Sequence, residues 1–278
     1  NKYLRELNCS GSVQLGTANG GQVLDLTGCK NIQKLDITNT KIVTINFAEG
    51  SNLQTAILSK SSIKNLYFKS LEFLTEVNID GCNSITEYII DSCSAIKNVS
   101  LSGSPVVIFN AINCKNLQSV DVSNCKVLET FELTNCSNIY QLLMSNNNGS
   151  MMNDLHLYTL YKLKKLDVSN STSLKNIRLP KYISQDEANR VAALKANNPN
   201  LTDEECNAQL WNVLETLNIR SSSIISIQYG SAEIAESDRK CDMKQLSKLS
   251  SISFQNCTSI KAIENINYVT SNMDALFD

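Results

Sequence analysis

The chain is poor in the residues on which most enzymatic and metal-binding sites depend. Its 278 residues include one histidine, three prolines and one tryptophan, and no two cysteines stand in a C-x-x-C arrangement. The single histidine, His156, cannot build a histidine-rich metal site. It also falls at the second position of a predicted strand, where its side chain should point outward. We therefore expect a surface residue there and not a catalytic base.

Motifs that bind phosphate or activate a nucleophile are also missing. No G-x-S-x-G elbow is present, and the glycines within 16–21 are not followed by the helix that phosphate binding needs. Asp203, Glu204 and Glu205 fall in the first turn of a predicted helix, where carboxylates complement the helix dipole. These absences predict a protein that is not an enzyme and that has no cofactor and no metal site.

Charge and hydropathy exclude two further classes of partner. With 25 basic and 27 acidic residues, the net charge of −2 gives no broad positive field, so nucleic acid is not an expected partner. No apolar run approaches the roughly 18 residues that cross a bilayer, so we expect no direct membrane insertion. The first residues lack the apolar core of a signal peptide and an initiating Met, so we expect part of a larger chain or assembly.

What the sequence does contain is a repeat. Between Phe109 and Asn147, Cys114, Cys125 and Cys136 recur at a step of about 11 residues, and Asn147 follows one step later. Apolar residues fill the first, third and ninth positions of each unit. Apolar residues two apart are typical of a strand with one buried face, and Gly or Asn at the fifth position supplies a turn. The pattern predicts a solenoid.

Most of the ten cysteines belong to this repeat. At the sixth position of a unit, which we name the ladder position, cysteine alternates with Thr40, Ser61, Ser104, Asn147 and Ser171. A compact side chain that hydrogen-bonds weakly to the backbone suits such a site. We predict that the cysteines at this position are reduced and buried: Cys29, Cys82, Cys93, Cys114, Cys125, Cys136 and Cys257.

Strand-opening residues recur from Val13 to Ile177 at steps of about ten or eleven. Since a coil of 11 residues is too tight to enclose side chains, we pair the units into coils of about 22 residues with two strands each. We predict a mainly β solenoid of parallel strands over 1–182, a helical insertion over 183–213, and a continuation with a C-terminal cap over 214–278. Capping boxes at 184–187 and 202–205 predict two helices, ending near Ala196 and Trp211.

Phrases such as LQSVDVSNCKVLETFELTNC and LDLTGCKNIQKLDITNT resemble bacterial surface leucine-rich repeats, of the internalin-like and BspA-like groups. The resemblance covers roughly 7–180 and 214–266. It implies a leucine-rich-repeat solenoid that attaches to a partner and has no catalytic activity. Similar arrays also occur in the tail and fibre proteins of bacterial viruses.

We therefore expect a binding or adhesion module, extracellular or at the bacterial cell surface, that recognises a protein or glycan partner. The alternative is a structural or receptor-contacting component of a phage virion. An enzyme with its active site in the helical insertion is a third, weaker possibility.

Outward residues of alternate strands form two unlike columns. The fourth positions of one column are short and polar: Thr38, Ser59, Asp80, Ser102, Ser123, Ser145 and Ser169. The other column mixes aromatic, aliphatic and charged side chains, as contact surfaces do. We predict that it binds the partner through Tyr67, Lys69, Ile89, Asp91, Ile112, Glu132, His156, Tyr158 and Arg178.

Overall fold

In a computed structural model the chain forms a β-solenoid, in which short parallel strands stack in coils of about 22 residues. The structure describes residues 1–18, 22–149, 152–180, 185–200, 214–229, 241–242, 249, 251–260 and 262–264. The chain divides into two compact units. Unit 1 comprises Asn1–Ile139 with Asn146–Met152, and unit 2 comprises Tyr140–Ser145 with Asn153–Asp278.

In unit 1 the strands fall alternately on two sides of the coil. The long-strand sheet contains β2 (Val23–Leu26), β4 (Thr44–Phe47), β6 (Asn65–Lys69), β8 (Glu87–Asp91), β10 (Ile108–Ile112) and β12 (Thr130–Thr134). The short strands on the other side are β1 (Glu6–Asn8), β3 (Lys34–Asp36), β5 (Thr55–Ile57), β7 (Glu76–Asn78), β9 (Asn98–Ser100) and β11 (Ser119–Asp121). The predicted pairing of two strands in each coil is confirmed.

Unit 2 continues the same alternation. One sheet contains β13 (Gln141–Leu143), β15 (Lys165–Asp167), β17 (Thr216–Asn218) and β20 (Ser251–Ser253). The other contains β14 (Asp154–His156), β16 (Asn176–Leu179), β18 (Ser226–Tyr229), β19 (Cys241–Asp242) and β21 (Ile263–Glu264). β15 pairs directly with β17, so these two strands are neighbours in the sheet although the insertion separates them in the chain.

The insertion includes α1 (Gln185–Asn197), which agrees with the first of the two predicted helices. The second predicted helix, near 202–211, lies outside the described residues. None of the described helices is long and apolar enough to cross a membrane.

The core forms because every strand turns alternate side chains inward. On the long-strand sheet aromatic side chains fill two neighbouring inward sites, and successive ring centroids lie 5.2 to 6.1 Å apart. Phe47 and Phe68 occupy one of these sites, and Tyr88, Phe109 and Phe131 occupy the other. Full burial of such a side chain, as at Phe68, Tyr88 and Phe109, contributes about 1.5–3 kcal/mol. The first predicted strand opener was wrong, since Val13 lies outside any strand and is 46% exposed.

Many of the strands end where one residue takes a left-handed conformation at the predicted fifth position of the unit. Lys60, Ser70, Ser92 and Ser221 are in this conformation, but asparagine is the most frequent residue there. Asparagine does so with φ between 54° and 61° at Asn39, Asn113, Asn124, Asn135, Asn146, Asn170 and Asn256. Glycine does so at Gly81 and Gly103. Asparagine and glycine tolerate this region of backbone space better than other residues, so the repeat selects them.

Several side chains at the ladder position donate a hydrogen bond to a backbone carbonyl of the preceding coil. The thiol of Cys82 donates to Leu58 O at 3.0 Å, and that of Cys125 donates to Leu101 O at 3.1 Å. In unit 2, Ser171 Oγ makes the equivalent bond to Met144 O at 2.9 Å. Six of the seven predicted cysteines are buried. The seventh, Cys257, is only half-buried, so its predicted burial was wrong.

Candidate binding surface

The register of the long-strand sheet places outward side chains in straight rows. β8 pairs with β6 and with β10 over five residues on each side, and β10 pairs with β12 in the same way. The middle row therefore contains Tyr67, Ile89, Asn110 and Glu132 as successive neighbours, about 4.8 Å apart. We name the outward side chains of these four strands the contact face: Asn65, Tyr67, Lys69, Glu87, Ile89, Asp91, Ile108, Asn110, Ile112, Thr130, Glu132 and Thr134.

The contact face contains six of the nine predicted partner-binding residues. The structure brings together Tyr67, Lys69, Ile89, Asp91, Ile112 and Glu132 on four adjacent strands. The sequence analysis missed Glu87, Ile108 and Asn110. The predicted strands began at the inward residues Tyr88 and Phe109. In the structure these strands begin one residue earlier, at Glu87 and Ile108, so a prediction of five-residue strands would have included both residues.

An apolar cluster lies at the centre of this face. Ile108 and Ile112 point outward from β10 on either side of Asn110, and Ile89 lies beside Asn110 on β8. All three isoleucines are partly exposed, and Tyr67, next to Ile89, is 42% exposed. Outward positions of a half-exposed sheet are normally polar. Neighbouring apolar side chains at such positions are therefore a departure from the usual pattern of an exposed sheet face.

The charged groups of the contact face are mainly carboxylates. The Tyr67 hydroxyl donates to the Glu87 carboxylate. Asp91 accepts from Ser92 Oγ at 2.8 Å and from Asn113 Nδ2 at 3.3 Å. The face contains three carboxylates, of Glu87, Asp91 and Glu132, and one cation, Lys69, so its net charge is negative.

That cation, Lys69, forms an ion pair with Glu49 at 3.5 Å. Both side chains are about two-thirds exposed. Solvent screens an exposed pair of this kind, so it contributes little to stability.

One acceptor at the centre has no donor. Asn110 Oδ1 is buried, and no group in the described part of the structure lies within hydrogen-bonding distance of it. A buried carbonyl without a partner costs about 1–3 kcal/mol.

Most outward residues at the ends of the short strands form hydrogen bonds within the turn that follows. In the last outward row, Asn8, Asp36, Asn78 and Asp121 each accept a hydrogen bond at 2.9 Å from the backbone N–H two residues further along the chain, while Ile57 stands in the same row. These bonds close the turn after each strand, an arrangement that Asn and Asp favour. The Asn and Asp side chains of this row are therefore already bonded to their own turns.

The other three predicted residues lie in unit 2: His156 on β14, Tyr158 in the turn that follows β14, and Arg178 on β16. His156 is exposed, and its ring centroid lies 5.9 Å from that of Tyr158. Arg178 pairs with His156 in the sheet register but is only 9% exposed. The expectation that Arg178 offers an exposed contact was therefore wrong, because β16 is buried along its whole length.

Two of the buried ladder thiols, those of Cys93 and Cys125, are poor nucleophiles. Burial raises the pKa of the Cys93 thiol to about 12, and it raises that of Cys125 as well. The thiolate is the reactive form of cysteine, so these groups stay unreactive near neutral pH. Among the described residues no three His, Cys, Asp or Glu side chains come together as a metal site.

A small cleft of about 90 Å³ opens on the short-strand side of unit 1, between residues 79–83 and 100–104. It lies where the strand pairing stops, because β7 ends one ladder and β9 begins the next. On either side of it the pairing is intact. Lys60 N–H donates to Asp80 O, and Gly103 N–H donates to Ser123 O, both at 2.8 Å. The cleft is a local opening between two coils.

Comparison with known proteins found no family model that matches this chain and no curated protein with significant similarity to it. The resemblance to bacterial surface leucine-rich repeats therefore stays a prediction.

Proposed function

We propose that this chain is a non-catalytic binding or adhesion module, built as a leucine-rich-repeat solenoid and belonging to a bacterial surface or secreted protein. It recognises a protein or glycan partner through the contact face. One observation carries the proposal. The middle row of the contact face is free of the backbone hydrogen bonds that occupy the equivalent row of the short strands.

The composition of this row supports the proposal. If outward residues served only to close turns, both sides of unit 1 would show Asn, Asp and Ser at equivalent positions. The short strands largely do so. The contact face instead has Tyr67, Ile89, Asn110 and Glu132, and aromatic and aliphatic side chains of this kind carry most of the energy of protein interfaces.

Two pairs of variants test the proposal. Ile89→Ala and Glu132→Lys alter the contact face, while Ile57→Ala and Glu76→Lys make the same changes at outward positions of β5 and β7. The probes are a cell-surface protein extract and a glycan array. We expect the contact-face pair to weaken binding at least about tenfold, as loss of an interface hot spot does. The matched pair should bind as the unchanged chain does.

Melting temperatures of all four variants provide the control. Because the four positions are on the outside of strands, we expect shifts of no more than about 3 °C for each. Equal loss of binding from both pairs would show that the contact face has no special role.

A further inference from the structure

Asn148 and Gly149 form a surface dipeptide whose chemistry the proposed function does not use. Both residues are exposed, and they lie in a turn between β13 and β14. Asparagine is chemically labile, because the backbone nitrogen of the next residue can attack its side-chain carbonyl carbon. A Cβ on that next residue shields the nitrogen, and glycine has none. The dipeptide therefore combines a labile amide with an unshielded nucleophile.

The fold itself requires glycine at position 149. A Cβ added there would lie 2.4 Å from Lys126 O, in the preceding coil of the same compact unit. Lys126 O is a backbone atom, so rotation of a side chain cannot relieve the clash. The close approach of the two coils thus keeps an unshielded nitrogen directly after Asn148.

The backbone N–H of Gly149 is also not held in a hydrogen bond. It donates to no acceptor in the part of the chain that the structure describes. Other asparagines differ in this respect: Cys257 N–H, which follows Asn256, donates to Phe254 O at 3.0 Å, and the N–H that follows Asn124 is bonded in the same way at 3.4 Å. Attack by such a nitrogen requires local opening of its hydrogen bond, which costs free energy. Attack by the Gly149 nitrogen does not.

We infer that Asn148 is a site of spontaneous deamidation, in which the backbone nitrogen of Gly149 attacks Asn148 Cγ. The nitrogen gives its proton to solvent, an N–Cγ bond forms, and the Cγ–Nδ2 bond breaks. Nδ2 takes up a proton from solvent and leaves as ammonia, so a cyclic succinimide remains. Water then adds to one of the two imide carbonyls and breaks its bond to nitrogen. The product is aspartate or isoaspartate at position 148, and nothing is oxidised or reduced.

The reaction changes both the charge and the backbone of this turn. One neutral amide becomes one carboxylate, so the formal net charge of −2 becomes more negative by one. Isoaspartate also inserts a methylene into the main chain directly before Gly149, where the two coils approach closely. Neither residue of the dipeptide belongs to the contact face, so this inference is independent of the proposed function.

The test is a peptide map of the whole folded chain after incubation at physiological temperature and pH. Mass spectrometry assigns the deamidated positions, and chromatography separates aspartate from isoaspartate. A synthetic peptide of residues 144–152 gives the rate without the fold. We expect Asn148 in the folded chain to react at no less than about a tenth of the peptide's rate, and at least about tenfold faster than Asn124 and Asn256. The rate should rise with pH, because the attacking nitrogen must lose its proton.

Asn148→Gln is the matched variant. Glutamine retains the amide but must close a larger ring, so we expect no modified product at position 148 over the same period. The other Asn-Gly pair, at 19–20, lies outside the described residues and is counted separately in the same map.

Three outcomes would overturn the inference. The first is a rate at Asn148 in the folded chain that is more than about tenfold below that of the synthetic peptide, since the fold would then protect the site. The second is a rate no higher than those at Asn124 and Asn256. The third is a product that contains aspartate without isoaspartate, because such a product would not have passed through a succinimide.

Discussion

The ladder position allows a sharp test of how the coils are held together, and Cys125 is the best site for it. Its side chain is fully buried, and its thiol donates to Leu101 O at 3.1 Å. The hydroxyl of Ser104 in the preceding coil lies 3.8 Å from the sulfur. The three replacements to compare are Cys125→Ser, Cys125→Ala and Cys125→Leu.

The structure predicts a different cost for each replacement. Leu101 O also accepts from the N–H and the Oγ of Ser104, at 2.9 and 2.6 Å, so loss of the thiol does not leave this carbonyl unpaired. Serine loses some apolar burial but retains a donor, so we expect a cost of about 1 kcal/mol. Alanine leaves a small cavity, which costs about 1–2 kcal/mol.

Leucine adds atoms to a site between coils about 4.8 Å apart, so it must displace its neighbours. Overpacking of this kind costs about 3 kcal/mol here. Leucine is not excluded from every ladder position, since Leu71 and Leu160 are buried at theirs. The column of Cys125, however, contains Thr40, Ser61, Cys82, Ser104 and Asn147, all of them small or polar.

Urea unfolding followed by circular dichroism measures these costs, with the slopes compared to confirm that the unfolding transition is unchanged. Cys9→Ser, at a half-buried cysteine outside the ladder, serves as the control. A leucine variant as stable as the serine variant would refute the view that this column requires a compact side chain. So would a serine variant that loses about 3 kcal/mol or more.

Three further predictions concern the turns. In urea unfolding, Gly16→Ala should lower the free energy of unfolding by at least about 2 kcal/mol more than Gly50→Ala does. A Cβ added at Gly16 would lie 2.4 Å from the backbone of the next coil, whereas a Cβ added at Gly50 meets nothing within 4 Å. The backbone N–H of Thr27 donates to the Asp25 carboxylate and lowers the pKa of Asp25 from its ordinary value of 3.8. The ionised carboxylate therefore stabilises the fold above pH 3.8, and this stabilisation is lost as the pH falls through the lowered pKa. Stability of Asp25→Asn should therefore depend less on pH in acid. In hydrogen exchange by NMR, the amide of Gly81, which faces the open cleft, should exchange about tenfold faster than that of Gly103; equal rates would contradict the opening.

Much of this fold could be predicted from the sequence because the same residue types recur at the same positions of many repeat units. A strand needs apolar residues two apart, and its turn needs a residue that tolerates a left-handed conformation, so Asn113, Asn124 and Asn135 recur at the same step as the strands. Each requirement is local. Alternation of the two sheets followed from coil length alone, and the six contact-face residues could be grouped before their positions were known.

Errors arose where burial depends on the neighbouring coil. Arg178 has the correct spacing for an outward residue, but the whole of β16 is buried. Cys257 fits the ladder position but is half-buried, which the repeat pattern of its own unit does not reveal. The cleft between β7 and β9 is a further case, because both strands have ordinary repeat residues and the opening depends on how two coils meet.

The difference between the two sides of unit 1 has a physical cause that links fold to function. A three-residue strand places its last outward side chain directly before the turn, where Asn or Asp is needed to hold the backbone. The five-residue strands β6, β8, β10 and β12 place their middle outward residue two positions away from the strand end. That residue cannot reach the turn, so its type is free to vary. Strand length thus separates the side of the coil whose outward residues close turns from the side with Tyr67, Ile89, Asn110 and Glu132, where residue type is less constrained.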